Sequence, residues 1–328
     1  MRVLGIAGTA KNTGKTTATV ALISQWPRPE TLAVTSIGYD GESRDNVTGL
    51  PKPRLDLPVG TLVATARRCL DAGSARLKIL EETPYDTPLG PLAVARVEER
   101  GLVVMAGPSH QQVLRKFIRR FKELGAELVL VDGAFSRMSP MAVVDGLVLA
   151  TGGARSQDIG RIARETKAME EILALPRAQV GLQPAWQLGS LLIASQVDGI
   201  EIPPDARELE ILGIIDNQPL AALLDKAQGL GTLIFADPVK LLLVSDLLEA
   251  AKTLKAFQGR GGKVYVRSSL TLLGITINPF YPAYNEANRE FSPAWLDAER
   301  LRREVAAATS APVIDVVKDG QESVKVFW

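Results

Sequence analysis

Residues 2–25, RVLGIAGTAKNTGKTTATVALISQ, decide how this chain folds. An apolar run ends in Gly8, a short polar loop follows, and from Lys15 the residues take a helical pattern to about Trp26. Pro27 and Pro29 stop that helix, because proline lacks an N–H and its ring clashes with the preceding turn. Strand, loop and helix in this order are the setting for phosphate binding. Backbone N–H groups must converge, so the loop needs small, flexible residues, and the helix must start at the loop so that its positive end faces the anion. A lysine and a hydroxyl must then reach the terminal phosphates and Mg²⁺. Gly8 and Gly14 give the flexibility, Lys15 is the phosphate lysine and Thr16 the magnesium hydroxyl. Thr9, Asn12, Thr13 and Thr17 complete the expected nucleotide lining. The common spacing, G-x-x-x-x-G-K-[ST], would put a glycine where this chain has Thr9; its glycine, Gly8, stands one place early.

Downstream, residues 31–36 read as a second strand and the polar, turn-rich residues 37–60 as a long loop of the kind that is functional in compact domains. Residues 61–72 read as a helix and 74–100 as a hairpin around Pro88 and Pro91. Then strands at 102–107, 127–134 and 145–153 alternate with helices at 109–125 and 156–173, the latter with Ser156 as its expected cap. In the first of these helices Leu114, Phe117, Ile118, Phe121 and Leu124 share one face, and Arg115, Lys116, Arg119, Arg120 and Lys122 form the other, a solvated face or a basic binding surface. Near-continuous apolar strands between helices predict a parallel sheet covered on both faces, a doubly wound α/β fold. Beyond Pro176 strands are expected at 190–195, 209–215, 232–237, 263–268, 270–278 and 312–317, with helices in 219–229, 239–258 and 294–308. This predicts a nucleotide-binding domain over 1–178 and a second α/β domain over 179–328, packed closely or sharing a sheet.

Composition narrows the classes. A chain of 328 residues with 46% hydrophobic content suffices for two domains without disulfides or metals. A net charge of +1 argues against a dedicated nucleic-acid binder. The single cysteine, Cys69, excludes a disulfide framework, and the single histidine, His110, excludes a histidine-rich metal centre. The first apolar run is too short for a signal peptide or membrane span, so a cytoplasmic protein with no membrane partner is expected.

Three further segments bear on the site. LVLVDGAF (128–135) is a strand ending in Asp132, placed for a magnesium ligand beside the loop strand. IGYDGESRD (37–45) offers Asp40, Glu42 and Asp45, of which Asp40 is the expected catalytic and metal-binding acid; their alternative is turn chemistry. AGPSH (106–110) and TGGARSQD (151–158) precede helices and can offer N–H groups to an anion. His110 reads as a helix-start residue rather than a base, Lys11 as a solvated loop lysine, and GRGGK (259–263) as a turn.

The pattern Gly8-Thr9 to Gly14-Lys15-Thr16, with VDGA at 131–134, resembles dethiobiotin synthetase. That enzyme belongs to a class of P-loop NTPases with cobyrinic acid amide synthases and MinD-like ATPases. The resemblance implies ATP and Mg²⁺ as ligands, Asp132 near the metal, and a homodimer. The lysine-containing substrate segment of that enzyme is not found in IGYDGESRDN, so its carboxylation reaction is not carried over. The succession KNTGKTT, IGYDGE, PKPRLDLPVG, ETPYDTPLGP, VDGAF, ITINPFYPAY and PVIDV is similar to the lysine aminomutase reactivase subunit family. This implies an ATP-dependent factor that expels damaged cobalamin from an adenosylcobalamin-dependent aminomutase, acting with that enzyme and a second reactivase subunit. Two other classes stay open: an ATP-dependent enzyme activating a small carboxylate or amine, and a nucleotide-gated binding protein with little turnover.

Overall fold

The computed structural model describes residues 1–40, 55–179, 181–285 and 290–328; the side chains of Tyr39, Asp40 and Asn285 lie outside the described set. The fold is α/β around a large, mostly parallel sheet of nine strands. The chain opens with β1 (Arg2–Gly8), α1 (Lys15–Gln25), β2 (Leu32–Ser36) and two short strands, β3 (Gly38–Asp40) and β4 (Leu55–Leu57). Next come β5 (Leu62–Ala66), the hairpin β6 (Arg76–Thr87) and β7 (Gly90–Glu99), and β8 (Gly101–Val103) with β9 (Met105–Gly107). Helix α2 (Gln111–Glu123), β10 (Leu128–Ala134), β11 (Gly146–Gly152) and α3 (Ile159–Leu173) follow.

A region of smaller elements comes next: β12 (Trp186–Leu188), β13 (Glu208–Ile211), α4 (Asn217–Lys226), β14 (Thr232–Phe235), α5 (Val239–Leu242), α6 (Leu247–Gly259) and β15 (Lys263–Val266). The chain then runs through β16 (Thr271–Asn278), the hairpin β17 (Phe280–Asn285) and β18 (Glu290–Trp295), α7 (Ala298–Ala308), β19 (Val313–Ile314) and α8 (Val316–Asp319).

The nine strands lie in the order β19-β16-β11-β1-β10-β2-β5-β7-β6. Strand β1 pairs in parallel with both β10 and β11, β10 with β2, and β2 with β5; β7 and β6 close that edge as antiparallel strands. The loop strand is therefore central, and its residues from Val3 to Gly8 are buried. Leu4 and Ile6 join Ala18, Leu22, Phe327 and neighbours in one apolar core. On the opposite face, Gly5 lies against Val144, Leu147 and Met141, whose short 3₁₀ turn packs on α2. Burial on both faces explains why β1, β2, β5, β10 and β11 read as continuous apolar runs rather than alternating ones.

The chain divides into two compact units, one of residues 1–163 with 272–328, the other of 164–271. The expected cut at 178, with everything beyond it in a second domain, is corrected by the sheet. Strand β16 lies next to β11, and Ile314, Val316, Val324 and Phe327 sit in the core with α1. The second unit is built on a four-stranded parallel sheet, β12-β13-β14-β15. Its buried Glu210 carboxyl is held below the usual carboxylate range by the hydrogen bond from Arg267, with Gln187 donating to its other oxygen.

Other expectations change locally. Residues 61–72 form strand β5 and a 3₁₀ turn instead of a helix, because Leu62–Ala66 fill the sheet beside β2. Ser156 does not cap α3; Asp158 does, accepting from Arg161 N, while the Ser156 hydroxyl accepts from Asp158 N. Residues 190–195 do not form a strand: the Gln196 side chain takes the N–H groups of Leu192 and Ile193. Residues 312–317 give only the two-residue β19, because the Asp315 carboxylate accepts from Val317 N and Lys318 N and starts α8. The basic face of α2 is partly engaged by the hairpin, with Lys116 on the Tyr85 hydroxyl and Arg120 on Glu81.

Candidate nucleotide site

The loop between β1 and α1 is held open by two left-handed residues. Gly14 has φ +86° and Asn12 φ +64°. Glycine adopts this region without cost, and asparagine is among the few other residues that tolerate it. Gly14 is the N-cap of α1 and, lacking a side chain, makes no capping hydrogen bond. The N-terminal end of α1 thus keeps its partial positive charge for an anion. Gly14, Lys15, Thr16 and Thr17 are half-buried around that end, whereas Gly8, Thr9 and Thr13 are buried beneath it. A side chain at Gly8 would place its Cβ 2.9 Å from Thr13 Oγ1 and 3.2 Å from Lys15 Cβ, so glycine is required there.

The displaced glycine has a structural counterpart in Thr9. Its N–H donates to Ala150 O at 2.9 Å. Its hydroxyl lies 3.2 Å from the same carbonyl and 3.0 Å from the Thr151 hydroxyl. Where the common motif has a hydrogen atom, this chain has a side chain that pins the loop to β11. Thr9→Val keeps the volume and deletes the hydroxyl. It is expected to cost about 1–2 kcal/mol of stability, read by chemical denaturation, because the buried Thr151 hydroxyl loses its partner.

Lys15 and Asp132 meet across the sheet. Lys15 Nζ donates to Asp132 Oδ2 at 2.7 Å, and the Asp132 side chain is only 2% exposed. The register that sets Ile6 beside Asp132 and Gly8 beside Ala134 brings the acid under the loop. The Thr19 hydroxyl, one helical turn beyond Lys15, lies 3.2 Å from Asp132 Oδ1 and 3.1 Å from Lys15 O. The carboxylate is fixed from both oxygens. Thr19 escaped the sequence reading, although its position four residues after Lys15 puts it on the lysine's face of the helix.

Asn278, at the end of β16, is the second residue the motif does not reveal. Its side-chain amide donates to Asn12 O at 3.0 Å, and its backbone carbonyl accepts from Gly153 N at 2.9 Å. Gly152 is locked against the same carbonyl: with φ +148°, an added Cβ would lie 1.8 Å from Asn278 O. The segment TGGARSQD is thus brought to the loop, its Thr151 and Gly153 bonded to Thr9 and Asn278.

The other expected residues are placed as follows. Asp40 lies on β3, whose backbone pairs with β9; its side chain, with Glu42 and Asp45, lies outside the described residues. His110 is the exposed N-cap of α2, a helix-start residue. Lys11 is exposed on the loop, and Arg260 to Gly262 form the turn between α6 and β15. Among the described residues no group of three or more His, Cys, Asp or Glu side chains is placed to hold a metal ion, and no helix is long and apolar enough to cross a membrane.

Magnesium does not require such a cluster. It keeps several waters and takes one or two protein oxygens besides the phosphates. The Thr16 hydroxyl and the Asp132 carboxylate are hard oxygen donors of that kind, near the uncapped helix end and the phosphate-type lysine. The donor set fits a Mg-nucleotide. Comparison of the chain with family models, curated proteins and solved structures gave no match.

Proposed function

We propose that this chain is a P-loop NTPase with a doubly wound sheet, binding Mg-ATP at Gly8, Thr9 and Asn12–Thr17 and hydrolysing it. The observation that carries the reading is the pairing of the uncapped α1 terminus with Lys15 on the buried Asp132. A chance Gly-Lys-Thr on a surface turn has no reason to sit on the central strand with its lysine on an acid of the next one. In this reading the N–H groups at the start of α1 hold the β- and γ-phosphates, and Lys15 Nζ exchanges Asp132 for phosphate oxygen. Asp132 Oδ2 would then, with Thr16, hold Mg²⁺, which when bound would supply charge neutralisation on the phosphates. Thr19 keeps the carboxylate aligned meanwhile. Asp40 remains the acid proposed to complete the metal site.

The role we carry forward is ATP-dependent reactivation of an adenosylcobalamin-dependent lysine aminomutase, with a second reactivase subunit. It rests on the segment resemblances from KNTGKTT to PVIDV. The competing reading, activation of a small carboxylate or amine, rests on the same loop and on the dethiobiotin synthetase resemblance. ATP hydrolysis by the purified chain with Mg²⁺, alone and with an aminomutase inactivated by turnover, separates them. Stimulated hydrolysis with recovered mutase activity is the expected result. Intact ATP binding without stimulation would transfer the assignment to the small-molecule enzyme, and absence of ATP binding would end both.

A further inference from the structure

The hairpin β17–β18 begins two residues after Asn278 and forms a two-stranded sheet of its own. Its register sets Phe280 opposite Trp295, Pro282 opposite Pro293 and Tyr284 opposite Phe291. Alternation along a strand places all six on one face. The rings contact at 6.0 Å for Phe280–Trp295 and 5.1 Å for Tyr284–Phe291, yet Trp295 is 64% and Tyr284 53% exposed.

One side chain joins this hairpin to the phosphate loop. Asn278 Nδ2 donates to Asn12 O at 3.0 Å, and Asn278 Oδ1 accepts from Phe280 N at 3.2 Å. The partners fix the amide's orientation, because a carbonyl can only accept and a backbone N–H can only donate. An amide is planar and rigid, so a displacement at its nitrogen end is carried to its oxygen end. Pro279 stands between Asn278 and Phe280 with its φ fixed by the ring, and its carbonyl accepts from Leu296 N at 2.9 Å, just beyond β18. The start and finish of the hairpin are thus tied to the residue that holds the loop. Asn12, whose carbonyl is the other end of the link, is the one non-glycine residue with positive φ among the described residues. A phosphate that drew the loop N–H groups together would act on that peptide.

We infer that Asn278 is a positioning residue through which nucleotide occupancy of the phosphate loop sets the pose of the β17–β18 hairpin. This rests on the nucleotide reading above and adds to it the element that responds. Trp295 is a reporter on the hairpin itself. The 328-residue chain carrying 5-fluorotryptophan has four tryptophans, Trp26, Trp186, Trp295 and Trp328, and Trp295→Phe assigns the hairpin resonance. Mg²⁺ with a non-hydrolysable ATP analogue is added, and binding is measured in parallel by calorimetry. The Trp295 resonance is expected to shift in the wild type. In Asn278→Leu, which keeps the branched shape, and in Asn278→Ala, the shift is expected to be lost while affinity falls by no more than about tenfold, the effect of one hydrogen bond. Trp26 and Trp328, packed on each other, report that the fold is retained. Binding to the wild type without a Trp295 shift would overturn the inference, as would a shift that survives both substitutions. Loss of binding in both variants would make Asn278 a ligand-binding residue rather than a transmitting one, and would overturn it too. No binding to the wild type would remove the nucleotide reading itself, a failure that calorimetry distinguishes from the others.

Discussion

Alanine at position 15 is expected to abolish Mg-ATP binding and to lower the unfolding free energy by about 3 kcal/mol. The two effects have separate causes. Binding is lost because the ammonium is the group that reaches the terminal phosphates. Stability is lost because the Asp132 carboxylate, 2% exposed, loses the ammonium at 2.7 Å. The causes separate in a double variant. Asp132→Asn added to Lys15→Ala removes the buried acid, so most of the stability returns, while nucleotide binding stays absent. Chemical denaturation and calorimetry on the two proteins test this. Wild-type ATP affinity in a folded Lys15→Ala variant would sink the site assignment.

The second large effect concerns the chain's division. A fragment of residues 1–178 matches the domain expected from the sequence, yet it is predicted not to fold cooperatively. It lacks Ile314, Val316, Val324 and Phe327, which sit in the same core as Leu4, Ile6 and Leu22, and it exposes the edge of β11 that β16 covers. Phe327 alone is 1% exposed and lies against Gly274, where an added Cβ would come within 2.1 Å of its ring. Phe327→Ala in the full chain is expected to cost about 3–5 kcal/mol. That is a large part of the ~5–15 kcal/mol typical of a domain. A monomeric 1–178 fragment with a sharp denaturant transition would show that residues 272–328 are an accessory to this core.

The strand, loop and helix of residues 2–25 were legible because their signals are local: an apolar run, then glycine, lysine and threonine, then a helical pattern. What closes the loop was not. Asn278 lies 266 residues from the carbonyl it holds, in a segment where the eye is drawn to its aromatic neighbours. The strand β5 was read as a helix because TLVATARRCLDA is rich in helix formers, and a strand buried on both faces lacks the alternation that would betray it. SLLIAS has the apolar character of a strand, but Leu192 and Ile193 are 58% and 60% exposed and their N–H groups are taken by Gln196. The hairpin at 74–100, by contrast, was legible from its prolines, because the turn between Thr87 and Gly90 is written in local residues.

The insertion of residues 164–271 within the larger unit also sets the order in which the molecule can be finished as it is made. At roughly 5–20 residues per second, a ribosome that has made Asn12 delivers Asn278 only tens of seconds later. During that interval the intervening unit has all of its own strands, while α1 has an apolar face and no Phe327 to cover it. The smaller unit is therefore able to fold first, although its code comes second. The loop between β1 and α1 is made before the inserted unit, yet it is completed after it. An mRNA truncated within the inserted unit would leave a chain carrying the whole Gly-Lys-Thr motif without Asn278 and without Ile314, Val316, Val324 and Phe327 of its core.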